Sequence, residues 1–233
     1  MAKKSKLYKA QAALVDRSTR LSLADGIKLL QSLPKVKFDQ TVELSFKLGV
    51  DPKQTDQTVR GAVPLPRGTG KSVTVTVISD DEALRQQAID AGADFVGYDD
   101  LIEKIKGGWV DFDVLIATPS AMTKVRPLGR QLGPKGLMPN PKTGTVTDKV
   151  GNAVAEAKAG RVEFRADKGG CVHVPFGKLS FTADALEANL RVIIDALVKA
   201  RPSSTKGAYM LGCTISATMT PGVKLVTKEL SGE

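Results

Sequence analysis

Few residues in this 233-residue chain have the types and spacing that catalysis needs. His173 is its one histidine, so a Ser–His–Asp triad has a single candidate base and a multi-histidine metal site is excluded. GTGKS (68–72) resembles the end of a phosphate-binding loop, but that motif requires a glycine where Leu65 stands, and it must open a helix. The acidic run SDDEA (79–83) is typical of a helix cap and first turn. These patterns predict no catalytic residue, no metal and no cofactor; a nucleotide-binding α/β enzyme remains the alternative interpretation.

Composition favours the binding of a polyanion instead. The chain has 34 Lys and Arg against 25 Asp and Glu, a net charge of +9, and aromatic residues make up only 5%. The positive charge indicates nucleic acid or an anionic membrane surface as a partner, and the scarcity of aromatics argues against recognition by rows of stacked bases.

The cysteines and the hydropathy pattern predict a soluble protein of the reducing cytosol. Cys171 and Cys213 lie far apart without CxxC spacing, which favours two free, buried thiols over a disulfide or a zinc site. The basic start of the chain is not followed by the apolar segment of a secretory signal, and no run approaches the ~18–20 apolar residues of a membrane span.

The elements that must position any binding residue differ between the middle of the chain and its flanks. In the middle, β-branched or apolar runs alternate with acid-started, glycine-ended helices, which predicts a mostly parallel sheet covered on both faces. Strands are predicted at 71–79, 93–97 and 113–120, and helices at 80–93 and 99–108.

The flanks instead predict an α+β arrangement with half-exposed antiparallel strands. Apolar and polar residues alternate in VELSFKL (42–48) and RVEFRAD (161–167), and Ser22 with Asp25 forms a plausible capping pair for a helix at 22–33. FTADALEANLRVIIDALVKA (181–200) predicts an amphipathic helix with Val198 on its apolar side. In YMLGCTISATM the alternation predicts one apolar face formed by Tyr209, Leu211, Cys213, Ile215, Ala217 and Met219.

Neither flank is large enough to look complete, so the simplest organisation is one domain built from both flanks with a second domain inserted into it. The predicted split domain is 1–69 plus 159–233, and the predicted insert is 70–158. The split domain holds 23 Lys and Arg against 13 Asp and Glu, a net charge of +10, whereas the insert holds 11 against 12, a net charge of −1. This asymmetry favours polyanion binding by the split domain over general solvation of its surface.

Polar positions on the flanking strands favour structured RNA as that polyanion. Lys35 and Lys37 stand beside Phe38, and the last predicted strand ends in a row of hydroxyls at Thr214, Ser216, Thr218 and Thr220. Hydroxyls and backbone groups suit phosphates and ribose 2′-hydroxyls, and the cations supply long-range attraction. Arg161, Arg165 and Lys168 are predicted to point outward from another strand.

The segment LGRQLGPKGLMPNP (128–141) is too rich in glycine and proline to predict a helix or an inner strand. Residues 124–149 hold six basic residues, one acid, four glycines and four prolines. They predict a kinked, basic loop whose backbone can approach a partner closely, with packing of the loop onto its own domain as the alternative.

At this loop the chain resembles a known family. TKVRPLGRQLGPKGLMPNPKTGTV is very similar to the signature of the ribosomal protein L-one family, and the resemblance extends through VRGAVPLPRGTGK, GRVEFRADKGGCVHVPFGK and PSSTKGAYMLGCTISATMTPG. It covers essentially the whole chain. It implies a fold of two domains, a discontinuous α+β domain with an inserted Rossmann-like α/β domain.

The resemblance also implies a function and partners. It implies a non-enzymatic, cytoplasmic constituent of the large ribosomal subunit that binds large-subunit rRNA, forms a mobile stalk near the exit site and assists release of deacylated tRNA. In bacterial members it implies repression of the protein's own mRNA, through a leader or operon transcript that resembles the rRNA site. A repressor whose main target is mRNA is an alternative that the sequence does not separate from the ribosomal role.

Site residues follow from the resemblance by matching positions. The rRNA-binding positions that it implies are Lys37, Phe38, Thr41, Arg165, Asp167, Lys168, Thr218, Met219 and Thr220. Thr220 stands where the family usually has glycine, so its side chain is expected to crowd the closest backbone approach to RNA. Within the signature loop the candidates for contact with tRNA or RNA are Arg126, Arg130 and Lys135.

Overall fold

The computed structural model describes residues 5–205 and 207–227 and has mixed α/β content, as predicted. Its α-helices are α1 (Lys6–Leu14), α2 (Leu23–Ser32), α3 (Glu82–Asp90), α4 (Asp99–Lys106), α5 (Met122–Val125), α6 (Gly129–Leu132), α7 (Val150–Gly160) and α8 (Ala183–Lys199). Its strands are β1 (Thr41–Leu48), β2 (Arg60–Pro64), β3 (Val75–Ile78), β4 (Phe95–Gly97), β5 (Val114–Ala117), β6 (Arg161–Arg165), β7 (Cys171–Lys178), β8 (Met210–Ala217) and β9 (Val223–Leu225). None of the described helices has both the length and the apolar character of a membrane-spanning helix.

The chain divides into two compact units, with crossings at residues 70/71 and 161/162. We call the described residues up to Gly70 and from Val162 onward the flanking unit, and Lys71–Arg161 the central unit. The predicted crossings at 69/70 and 158/159 lie one and three residues away. At the second crossing the chain stays with the central unit to the end of α7, because apolar residues of that helix pack into the central core: Val150, Ala153, Val154 and Ala157.

The flanking unit is built on a four-stranded sheet in the order β7-β1-β8-β9, with antiparallel neighbours. Every second side chain of β1 is buried, as the alternation in its sequence predicts. The buried side chains form one core with apolar residues of α2 and α8, among them Ile27, Leu30, Leu190 and Ile193. A separate two-stranded sheet joins β2 to β6.

Both long helices of the flanking unit begin at hydroxyl caps. The Ser22 hydroxyl accepts from the Asp25 N–H at 3.2 Å and donates to the Asp25 carboxylate at 2.7 Å, which confirms the predicted capping pair. Thr182 caps α8 in the same way by accepting from the Ala185 N–H at 3.3 Å.

Three residues that the alternation or periodicity predicts to face the core are exposed in the structure: Leu211, Met219 and Val198. Met219 lies beyond the end of β8, in the turn that follows it, so the alternation of the strand no longer applies to it. Leu211 is 51% exposed and Met210 is buried in its place, because the pairing of β1 with β8 shifts register between Lys47 and Leu48. A register shift of one residue exchanges the two faces of a strand, so simple alternation fails there. Val198 is also exposed, near the end of α8.

The central unit contains a three-stranded parallel sheet in the order β4-β3-β5 with a core on each face. On one face Val75 and Val77 join the core of α3 and α7; on the other, Ile78 joins that of α4, α5 and α6. β3 is shorter than the predicted strand 71–79. Before Val75, the Asp113 carboxylate accepts from the Thr74 N–H at 3.1 Å and pairs with Lys71. The Thr74 N–H is thus bonded to a side chain, and the strand begins only after it.

The prediction that 128–141 contains no helix was wrong. Residues 126–128 form a 3-10 turn that leads into α6, with Leu128 and Leu132 buried in the central core. Single turns tolerate glycine and a first-turn proline, because the first N–H groups of a helix have no intrahelical partner. Farther along, the Asn140 carbonyl accepts from both the N–H and the hydroxyl of Thr143. The loop therefore packs onto its own unit, as the alternative interpretation has it.

The other candidate chemical groups are accounted for by structure. His173 lies on the exposed side of β7 with its Nδ1 3.0 Å from the Ser45 hydroxyl, and GTGKS leads into β3 rather than into a helix. Asp81 caps α3 by accepting from the Ala83 N–H at 2.9 Å. Cys171 and Cys213 are free thiols as predicted, but only Cys213 is buried, and Cys171 at the start of β7 is half-buried. Burial raises the pKa of Cys213 to about 12. No cluster of His, Cys, Asp and Glu within the described ranges could hold a metal ion.

Candidate nucleic-acid interface

The face of the four-stranded sheet that points away from the core is polar and at least partly exposed. We call it the open face; besides Cys171 and Pro175 it carries the polar side chains of Glu43, Ser45, Lys47, His173, Thr214, Ser216 and Lys224. Ser45 pairs across strands with both His173 and Thr214, which places donors and acceptors side by side at the centre of the sheet. Such a surface can hydrogen-bond to phosphate and ribose oxygens without a deep pocket.

At one end of the open face the structure brings together predicted contact residues that are far apart in sequence. The Thr218 N–H donates to the Thr41 carbonyl at 3.1 Å, and Lys178 Nζ donates to the Thr41 hydroxyl at 2.9 Å. We call this region the Thr41 end. It consists of the start of β1, the end of β7 and the turn that follows β8.

Thr218, Met219 and Thr220 occupy that turn. The Ala217 N–H donates to the Thr220 hydroxyl at 2.8 Å, and the Thr220 N–H donates back to the Ala217 carbonyl at 3.0 Å. The Thr220 side chain is thus part of the turn itself, and φ is negative there. Thr218 is exposed, and Met219 exposes half of its surface.

Lys37 and Phe38 lie on the segment that leads into β1, just before the Thr41 end. Asp39 fixes this segment by accepting from the Ser180 N–H at 3.2 Å and from the Ser180 hydroxyl at 2.7 Å. Lys37 is exposed, and Phe38 exposes 52% of its surface. An exposed aromatic and an exposed methionine therefore accompany the hydroxyls of the Thr41 end.

Arg165, Asp167 and Lys168 lie at the opposite end of β1. In the register of β1 with β7, Thr41 pairs with Lys178, whereas Lys47 pairs with Cys171, just after the turn that contains these residues. Six residues of strand separate the two pairs, about 20 Å. The predicted rRNA contacts therefore form two groups at the two ends of one sheet.

Asp167 organises its own turn. Its carboxylate accepts from the Cys171 N–H at 2.7 Å and from the Gly169 N–H at 2.8 Å. The backbone bond from Cys171, and then that from Gly169, hold the pKa of the carboxyl below its ordinary value, with help from the positive charge of Lys47. Gly170 adopts φ +71° in this turn, where a β-carbon would lie 3.1 Å from the Val50 carbonyl oxygen. The turn presents Lys168 at its exposed tip.

Three basic side chains at this surface are available to a ligand. In the described part of the chain Lys37, Arg165 and Lys168 form no ion pair. Among the ion pairs that the structure describes, Arg191 on α8 is the cation from the flanking unit, and the others belong to the central unit: Lys71, Lys124, Lys158 and Arg161. Arg161, which was predicted to point outward beside Arg165, contacts Glu156 at 2.9 Å instead.

The candidates Arg126, Arg130 and Lys135 belong to the central unit, as a group distinct from the open face. All three are exposed on the segment whose Leu128 and Leu132 are buried. Helical turns account for this alternation, because they direct neighbouring residues to different sides.

Sequence patterns did not identify two further residues that the fold places at this interface. Lys47 projects from β1 and its ammonium donates to the Gly169 carbonyl, beside the turn that carries Lys168. Gln40 is almost fully buried beneath the Thr41 end. The alternation along β1 could have indicated Lys47, but a polar residue that precedes a strand gives no signal of burial.

Comparison with known proteins identifies the family of the chain. Residues 29–221 match the sequence model of the ribosomal protein L1p/L10e family. The chain is also 52% identical over 225 residues to the large ribosomal subunit protein uL1 of Lactiplantibacillus plantarum, an alignment that covers 97% of this chain and 98% of that protein. This is a family of ribosomal proteins and not of enzymes. The chain therefore belongs to the ribosomal protein L1p/L10e family.

Proposed function

We propose that this protein is a cytoplasmic constituent of the large ribosomal subunit and binds large-subunit rRNA through the open face and both of its ends. The rRNA-binding domain in this proposal is the flanking unit. The central unit is an inserted Rossmann-like domain. Family membership and the name of the relative support the ribosomal assignment, and the polar, cationic surface supports rRNA as the ligand.

The observation that carries the proposal is the set of unpaired cations on a surface lined with hydroxyls. An unpaired cation releases condensed counterions from RNA when it contacts a phosphate, and this supplies affinity. The hydroxyls and the exposed side chains of Phe38 and Met219 supply shape and hydrogen bonding, and hence discrimination between RNA sites.

A site that is about 20 Å long suits folded RNA better than a single extended strand. Its two ends can each engage phosphates and riboses while the flat centre lies against a groove or loop. Asp167 acts in this proposal by shaping the turn that presents Lys168, since its carboxylate already accepts two backbone hydrogen bonds.

The proposal extends to a mobile stalk near the exit site that assists release of deacylated tRNA. Arg126, Arg130 and Lys135 are the residues of the central unit that would meet tRNA or RNA. Their support is their charge and exposure on a segment that is fixed to the unit by buried leucines. If they serve tRNA, neutralising them will weaken tRNA retention on the ribosome and leave rRNA binding unchanged.

Repression of the protein's own mRNA follows if its leader or operon transcript carries a copy of the rRNA site. One surface would then serve both ligands, so the two RNAs must compete. A competition assay tests this directly: the leader transcript should displace rRNA, and a Thr218→Val substitution should weaken both complexes in the same proportion.

Two observations argue against a nucleotide-binding enzyme, the alternative interpretation of the sequence. The family is one of ribosomal proteins, and GTGKS does not open a helix.

Footprinting tests the central proposal. The protein should protect one discrete site on large-subunit rRNA, and free nucleotides should neither bind nor displace it. Protection that is spread evenly over unrelated RNA would reduce the activity to non-specific electrostatic binding and would overturn the proposal.

A further inference from the structure

Gln40 links the three segments that meet at the Thr41 end. Its side-chain oxygen accepts from the Met219 N–H at 2.9 Å, and its backbone carbonyl accepts from the Leu179 N–H at 2.8 Å. Only 1% of its surface is exposed. The residue therefore fixes the turn after β8 from underneath and does not itself reach a ligand on the surface.

The Gln40 amide has one satisfied group and one unsatisfied group. Its Nε2 is buried without a hydrogen-bond partner in the described structure, and a buried unpaired donor destabilises a fold. An apolar side chain of similar size would avoid that cost. The amide oxygen does provide a fixed acceptor for the Met219 N–H. Gln40 therefore contributes more to the position of the turn than to the stability of the fold.

The position of this turn matters because two exposed candidates for RNA contact, Thr218 and Met219, adjoin the N–H that Gln40 holds. Thr218 is exposed and Met219 is half exposed, so the backbone between them determines where both side chains point. The Thr218 N–H also donates to the carbonyl of Thr41, the residue that follows Gln40, at 3.1 Å. The turn is thereby attached at two successive residues of β1 and its lead-in segment.

We propose that Gln40 is a positioning residue for RNA recognition, which holds the Thr218–Met219 turn in its binding conformation without touching RNA. The inference rests on the proposed rRNA-binding function of this surface. It predicts that loss of the amide weakens binding while the fold keeps its stability, the opposite of what a purely structural glutamine would show.

The test is Gln40→Met in the full-length protein, with affinity for the large-subunit rRNA site and for a random RNA of equal length. Methionine fills a similar volume but offers no comparable acceptor. We expect the dissociation constant for the cognate site to rise about tenfold, the scale of one well-placed hydrogen bond, with binding to random RNA and the thermal midpoint nearly unchanged.

Gln11→Met is the matched control. Gln11 is also fully buried in the flanking unit. Its Nε2 donates to the Pro34 carbonyl at 2.7 Å, and its Oε1 has no hydrogen-bond partner in the described structure. It makes no hydrogen bond to the turn after β8, so this substitution should leave cognate affinity per folded molecule unchanged.

A second variant, Gln40→Glu, keeps an oxygen acceptor for the Met219 N–H. Burial at this position raises the pKa of the introduced carboxyl, so its neutral form is more populated at pH 5.5 than at pH 7.5. Gln40→Glu should therefore bind the cognate site more tightly, relative to wild type, at pH 5.5 than at pH 7.5. If wild type itself does not prefer the cognate site, the proposed function fails. If wild type prefers it and Gln40→Met binds equally well per folded molecule, or loses only stability, the positioning role of Gln40 is overturned.

Discussion

Thr218 and Thr41 join the ends of two neighbouring strands although 177 positions separate them in the sequence. The Thr218 N–H donates to the Thr41 carbonyl at 3.1 Å, and the Thr218 hydroxyl approaches the same oxygen at 3.4 Å. The short backbone bond holds the strand end, whereas the long hydroxyl contact adds little. The hydroxyl is thus available to a ligand at small cost to the fold.

Thr218→Val tests this division of roles. Valine keeps the shape, so the free energy of unfolding should change by less than about 1 kcal/mol, whereas binding to the cognate rRNA site should weaken by roughly 1–3 kcal/mol. Urea unfolding and affinity per folded molecule are measured together. A large loss of stability with unchanged affinity would make Thr218 a structural residue.

Thr220→Val should behave in the reverse manner. The Thr220 hydroxyl accepts from the Ala217 N–H at 2.8 Å, and Ala217 is 4% exposed, so the substitution leaves a buried donor unpaired. We expect a loss of roughly 1–3 kcal/mol of stability in urea unfolding. Thr220→Ser keeps the acceptor and is the control. Equal stability of the valine and serine variants would show that this bond does not hold the turn.

Phe38 and Lys37 are expected to differ in the salt dependence of binding. Lys37→Gln removes one phosphate contact, so the slope of log affinity against log salt should flatten by about 0.7–0.9, for cognate and random RNA alike. Phe38→Ala removes no charge and should weaken only the cognate complex, because shape complementarity is lost. A change of slope in Phe38→Ala as large as in Lys37→Gln would exclude a specific recognition role for Phe38.

Asp167 is expected to stabilise the fold at neutral pH and to lose this effect in acid. Its pKa is lowered in the folded state by the backbone N–H bonds of Cys171 and Gly169, so its contribution is present above the ordinary carboxyl pKa of 3.8 and is lost as pH falls through the lower, folded value. Asp167→Asn should therefore lower the thermal midpoint at neutral pH, and the difference from wild type should shrink below about pH 4. A difference that stays constant from pH 7 to pH 3 would contradict the ionic origin of this contribution.

The sequence predicted those parts of the fold that depend on local periodicity. The alternation along β1 and the Ser22 cap of α2 are consequences of nearest neighbours, and both were confirmed. The exposure of Leu211 was not predictable, because the bulge opposite Lys47 and Leu48 arises from pairing between distant strands. Leu128 and Leu132 were missed for a related reason: glycine and proline around them hid single helical turns that only burial stabilises.

Polar patterns in the sequence indicated Lys37, Phe38, Thr218 and Lys168 as candidates, and the resemblance added Thr41, Asp167 and Met219. Thr41 and Thr218 were thus both named, but their adjacency depends on the order β7-β1-β8, which no pattern within either segment contains. The separation of Lys168 from the Thr41 end by the length of β1 depends on the same strand order. Gln40 carried no signal at all, because its importance depends on a bond to Met219, 179 positions away.

The most direct test of the central claim compares two triple substitutions of equal charge in the full-length protein. One is Lys37→Gln, Arg165→Gln and Lys168→Gln on the flanking unit; the other is Arg126→Gln, Arg130→Gln and Lys135→Gln on the central unit. Affinity for the large-subunit rRNA site is measured across a salt series, with folding checked for each variant. If the open face and its ends bind rRNA, the first triple variant should flatten the salt slope by about 2–3 and lose most of the affinity, and the second should bind as wild type does. Equal losses in the two variants, or a larger loss in the second, would contradict the account.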